Sequence, residues 1–190
     1  MKLVLSIVVL MLNLAGYVPY IRDILRNKVK PHRVTWLIWS ILTFVAAVNQ
    51  IKNDGGYSSV FLISSFCLVF VTLLLSVKYG QKGMSNLDRM CLVLALALLV
   101  YWVTIQDTRT STLLAVLIDT LGAIPTVTKT WKHPETEAYN QWVMAAIAGL
   151  VTLFTVTRLD WVLIIYPAYV VVMNGIIVYA KWFKESWSKV

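Results

Sequence analysis

Charge is scarce in this chain, and most of it has one sign. Only 14% of the 190 residues are Asp, Glu, Lys or Arg, with nine acids against 17 bases. A soluble domain carries about 25% charged residues, so a water-facing surface of ordinary extent is excluded. Cysteine is nearly missing as well. Cys67 and Cys91 stand singly in apolar stretches without metal-ligand spacing, and such residues behave as small apolar side chains, with no disulfide framework to read. There is no phosphate-binding glycine loop, no nucleophile elbow and no His-rich or Cys-rich metal pattern. His32 and His133 fall in basic loops, where histidines are solvated. The chain is accordingly read as a non-enzyme, with neither metal nor cofactor.

What the sequence has instead is apolar length. Hydrophobic residues make up 59% of it, and the mean hydropathy is +0.74. A membrane-spanning helix needs about 20 mostly apolar residues. Seven stretches qualify: 2 to 25, 34 to 52, 57 to 79, 89 to 105, 110 to 131, 139 to 157 and 161 to 182. The loops between them hold no room for a catalytic domain, so binding must occur among the helices. The expected fold is an all-α membrane protein, and its first partner is the lipid bilayer. The opening run could pass for a signal peptide, since Lys2 precedes apolar residues that end in small ones. Its apolar character continues through Tyr17, Val18, Pro19, Tyr20 and Ile21, and the segment has a copy later in the chain, so it is expected to be retained.

That copy is an internal repeat. Residues 14 to 36 align without a gap on 120 to 142 at an offset of 106, which places Gly16 on Gly122, Pro19 on Pro125 and Trp36 on Trp142. The third spans align at an offset of 103, with Lys78 and Tyr79 over Lys181 and Trp182. The expected organisation is therefore a first three-helix repeat at 1–80, a linker helix at 81–108, and a second three-helix repeat with a short tail at 109–190. A single inverting span between the repeats makes them parallel, related by an axis along the membrane normal.

The formal charge of +8 could suggest nucleic acid, but these bases cluster in alternate loops, the pattern of cytoplasmic loops in membrane proteins. In a seven-span arrangement Lys2, Lys52, Arg109 and Arg158 lie on one side and the other thirteen Lys and Arg on the opposite side. The bias sets the amino terminus outside and the carboxyl terminus in the cytoplasm, in a plasma or inner membrane. No nucleic-acid partner is expected, and the oligomeric state stays open.

Two parallel three-helix repeats joined by one helix, each with a proline late in its first helix, a basic loop and a tryptophan-bearing second helix, resemble the PQ-loop superfamily. That group contains the SWEET and SemiSWEET sugar transporters and lysosomal amino-acid exporters, and vitamin transporters share the helix plan. Where the family has Pro-Gln, this chain has Pro19-Tyr20 and Pro125-Thr126. The resemblance implies transport of a small polar solute (a sugar, amino acid or vitamin-like molecule) by alternating access where the two repeats meet. It makes Pro19 and Pro125 hinges beside a gate, and Asn174 a solute ligand. The alternative within the same fold is a receptor or sorting protein without transport, as in the KDEL receptor.

Elementary chemistry bears on several of these residues independently. A proline inside a helix removes one hydrogen bond and crowds the preceding turn, so Pro19 and Pro125 kink their helices, either as hinges or as passive packing features. Pro167 is a third such proline. Asp119 is the one acid deep in a span, and Asn13 is its counterpart at an offset of 106. Intramembrane acids face a cavity or a partner. Asp119 is thus either a solute or proton site, able to change protonation during transport, or hydrogen-bonded glue between helices. Tyr166 and Tyr169 flank Pro167 and offer an aromatic wall to a solute. Trp131, Trp161, Trp182 and Trp187 fall at span ends, as an aromatic belt does. Trp36, Trp39 and Trp142 are either belt or gate, and Asn49 and Gln50 are either solvated helix ends or an entrance.

Overall fold

The computed structural model describes residues 2–52, 57–154, 156 and 159–187. Arg158 and Lys189, and the side chains of Lys2, Asn49, Gln50 and Lys52, lie outside what is described. Among the described residues the chain is all helix. Seven α-helices follow one another: α1 (Lys2–Leu25), α2 (Arg33–Lys52), α3 (Tyr57–Tyr79), α4 (Asn86–Trp102), α5 (Thr108–Lys132), α6 (Tyr139–Leu153) and α7 (Trp161–Trp187), with one 3-10 turn at Pro134–Thr136. Three of them contain segments long and apolar enough to cross a membrane, Ile7–Leu25, Thr108–Lys132 and Trp161–Trp187.

Local chemistry sets several helix ends, including two that extend beyond the expected spans, while α4 and α6 end three and four residues short of theirs. α4 starts three residues early because Ser85 and Asp88 form a reciprocal cap. Asp88 N donates to the Ser85 hydroxyl at 3.1 Å, and Ser85 N donates to the Asp88 carboxylate at 2.7 Å. α1 stops where Asn27 adopts a left-handed φ of 57°, which lets the amides of Lys28 and Val29 donate back to the Asp23 carbonyl at 2.9 and 3.2 Å. α7 runs five residues beyond the expected end. Lys181 and Glu185 pair one turn apart at 2.5 Å, and Phe183 packs on Trp187 with ring centroids 5.5 Å apart.

By contacts the chain forms two compact units, one built from two separated stretches and the other continuous in sequence. One comprises Met1–Lys30 with Thr126–Val190, and the other is Pro31–Pro125. In the first, α6 packs against both α1 and α7. A Cβ added at Gly149 of α6 would stand 3.2 Å from the Pro167 carbonyl oxygen and 3.0 Å from a Val171 methyl, so α6 and α7 approach almost backbone to backbone. In the second unit α2 packs on α3 and α4. Its core joins Val34, Ile38 and Leu42, spaced by one helical turn, to Ala95, Leu99 and Trp102 of α4 and to Leu114 and Ile118 of α5.

The outward faces are apolar rather than charged. Val93 and Val100 of α4 are 65% and 69% exposed, and Leu74 of α3 is 55% exposed. Apolar surface in this quantity is costly in water and costs nothing in hydrocarbon, which is compatible with a membrane protein.

Candidate functional site

The residues singled out in the sequence divide between the two units. Asn13, Pro19, Trp142, Tyr166, Tyr169 and Asn174 belong to the first, and Trp36, Asp119 and Pro125 to the second. Asn13, Asp119 and Asn174 are all half-buried. Asn174 donates its side-chain amide to the Val170 carbonyl of its own helix at 2.7 Å, so part of its hydrogen-bonding capacity is spent locally. The Asp119 backbone carbonyl accepts from the Trp39 indole N–H at 3.2 Å. Tyr166 and Tyr169 have ring centroids 6.1 Å apart, an aromatic pair beside the third proline.

Burial separates the tryptophans. Trp131, Trp161, Trp182 and Trp187 are between 43% and 71% exposed, whereas Trp36 and Trp142 are 0% and 1% exposed. An interfacial belt needs exposed indoles, so Trp36 and Trp142 do not serve as one. Trp142 instead meets the Tyr20 ring edge-on at 6.1 Å, one residue beyond Pro19.

Gly16 and Gly122 have different nearest neighbours, Gln141 and Trp39, but share one contact at the offset of 106. A Cβ at Gly16 of α1 would lie 3.1 Å from Met144 Cβ on α6, and a Cβ at Gly122 of α5 would lie 3.2 Å from Ile38 Cγ2 on α2. Gly16 and Gly122 differ by 106 positions, and so do Ile38 and Met144. Thus α1 packs its glycine on α6, which follows Pro125 in sequence, and α5 packs its glycine on α2, which follows Pro19. The missing side chain is what permits the approach. Three residues on, Pro19 and Pro125 have no N–H, so the carbonyls of Ala15 and Leu121 cannot receive the usual helical hydrogen bond.

A second recurrence joins helix starts to helix ends. Arg33, the first residue of α2, donates to the Ser76 and Val77 carbonyls near the end of α3 at 3.1 and 3.0 Å. Tyr139, 106 positions later and the first residue of α6, donates its hydroxyl to Glu185 near the end of α7 at 2.6 Å. Both bonds join a helix start to the last turns of another helix, through different chemistry.

Several buried polar groups carried no sequence signal that would single them out. Lys129 pairs with Glu137 with both side chains at or below 1% exposure, and its ammonium also donates to the Lys30 carbonyl at 2.9 Å. The Lys30 amide donates to the Thr136 carbonyl at 2.9 Å, so the chain after α1 is tied to the chain after α5. In the other unit His32 Nε2 lies 3.5 Å from the Asp88 carboxylate, both nearly buried. Gln141 of α6 is 4% exposed, and its side-chain oxygen is fully buried without a hydrogen-bond donor. An unmet acceptor of this kind costs about 1–3 kcal/mol. Among the described residues no group of three or more His, Cys, Asp or Glu is placed to hold a metal.

No family model matches the chain, nor does any curated protein or solved structure.

Proposed function

We propose that the protein is a membrane transporter of a small polar solute, with all seven helices crossing the bilayer as a three-plus-one-plus-three repeat and the amino terminus outside. The observation that carries this reading is the paired packing of Gly16 on Met144 and Gly122 on Ile38, each three residues before a helix proline. A repeat that preserves a glycine contact and a proline break in both halves suits a machine with two equivalent moving helices. In parallel-repeat transporters one repeat or bundle rocks or gates against the other.

The points where the chain crosses between compact units favour the same reading. There are two, at Lys30–Pro31 and at Pro125–Thr126. The second falls inside α5 at its internal proline, and domain movements are absorbed by a few residues at such places. Pro125 is thereby the hinge and Pro19 its counterpart, while the buried Trp36 and Trp142 follow them as gate residues. Asn13, Asp119 and Asn174, with Tyr166 and Tyr169, are the polar and aromatic groups available to the solute. Saturable uptake of small polar solutes by the purified protein in liposomes tests this assignment.

A further inference from the structure

We infer that Gln141 is a ligand-binding residue whose side-chain oxygen accepts a hydrogen bond from an N–H or O–H group of a small polar molecule, at the α1–α6 contact beside Gly16. The inference rests on the transporter reading only in identifying that molecule with the carried solute.

Two observations within one compact unit converge on the place. The Gln141 oxygen is buried and has no donor, which is rare for a buried polar atom and calls for an explanation. It would stand 3.0 Å from a Cβ at Gly16, so the absent side chain is what leaves the amide its position. Asn13, three residues before Gly16 and so on the same side of α1, adds an amide that both donates and accepts. The Tyr20 and Trp142 rings close the stretch at its proline end.

An unmet acceptor selects a ligand that carries donors, such as a polyol or a primary amine, over one that only accepts. A structural role does not account for the amide, since an apolar side chain of the same shape would fill the space without an unmet oxygen. In this arrangement the oxygen is covered, so the ligand reaches it when α1 bends away at Gly16 and Pro19.

The test compares wild type with Gln141→Met, nearly the same shape without the acceptor, and with Met144→Leu, which alters the same contact without touching a polar atom. D-glucose supplies O–H donors and glycine N–H donors, and glycine betaine has no donor at all. Stabilisation of purified protein against heat reports binding. The expected result is that glucose or glycine stabilises wild type and Met144→Leu while betaine does not. Gln141→Met should need about tenfold more of the same probe, with its own melting temperature equal to wild type or higher. Wild-type affinity in Gln141→Met, equal stabilisation by betaine, or no stabilisation of wild type by glucose or glycine overturns the inference. Binding through Gln141 without uptake in liposomes would sustain it and remove the transporter reading; uptake unchanged in Gln141→Met would do the reverse.

Discussion

Gly122 lies so close beneath Trp39 that a Cβ there would come within 2.6 Å of the indole Nε1, while the same Nε1 donates to the Asp119 carbonyl one turn earlier on α5. The rigid indole is thus fixed on both sides of the contact. At Gly16 the nearest atoms stand further off, at 3.0 and 3.1 Å. Overpacking a close helix contact costs about 1–3 kcal/mol. Gly122→Ala should therefore destabilise the protein by about that much, and Gly16→Ala by less. Denaturation of both variants in detergent checks the order, and equal or reversed losses would contradict it.

The buried pair of Lys129 and Glu137 gives a sharper expectation. Removing one partner of a buried ion pair strands the other charge, at a cost of about 3–5 kcal/mol, whereas replacing both by apolar residues is often neutral. Lys129→Met alone should unfold the protein readily. Lys129→Met combined with Glu137→Leu should recover most of the loss, less the hydrogen bond from Lys129 to the Lys30 carbonyl. A double variant as unstable as the single one would show that the ion pair is not what the loop depends on.

Outside the spans, Asp107 caps α5. Its carboxylate accepts from the Thr110 hydroxyl and amide, both at 2.7 Å, and these bonds hold its pKa below the ordinary 3.8. A depressed carboxyl contributes its capping above 3.8 and loses it as pH falls through the lower folded value. The Thr110 amide resonance should titrate with a midpoint below 3.8. A midpoint at or above that value would mean the cap is not formed in solution.

The proposed orientation is tested by labelling. In a Cys67→Ser background, which leaves only the buried Cys91, Lys82→Cys and Gln106→Cys place exposed thiols in loops assigned to opposite sides. An impermeant reagent applied to oriented vesicles should modify one and spare the other. Modification of both from the same side would refute the seven-span arrangement.

Much of the helical plan was legible in the sequence, because apolar runs of spanning length are a strong signal. All seven helices fall on the seven stretches; Ser85 with Asp88 and Lys181 with Glu185 extend α4 and α7 beyond their apolar runs, while α4 and α6 end three and four residues short of theirs. The alignment placed Gly16 with Pro19 and Gly122 with Pro125 on helices, and the structure has both pairs inside α1 and α5. It did not reveal that Gly16 packs on α6 and Gly122 on α2, because an alignment records equivalence and carries no information about partners. Gln141 and the Lys129–Glu137 pair were invisible for a different reason. Gln141 opens an apolar run where a solvated polar residue is ordinary, and Lys129 and Glu137 lie near a basic loop where charges are expected to face water. Only burial sets them apart.

The most direct measurement is uptake of radiolabelled sugars, amino acids and water-soluble vitamins into liposomes containing the purified protein, with Asp119→Asn alongside wild type. The account predicts saturable entry of at least one solute above protein-free liposomes. Where a pH gradient drives accumulation, Asp119→Asn should abolish it and leave exchange intact, since the amide keeps the shape and loses the titration. Were Asp119 only interhelical glue, the change would cost little, because such hydrogen bonds average about 0.6 kcal/mol. Folded, correctly oriented protein that admits none of these solutes faster than empty liposomes would contradict the account.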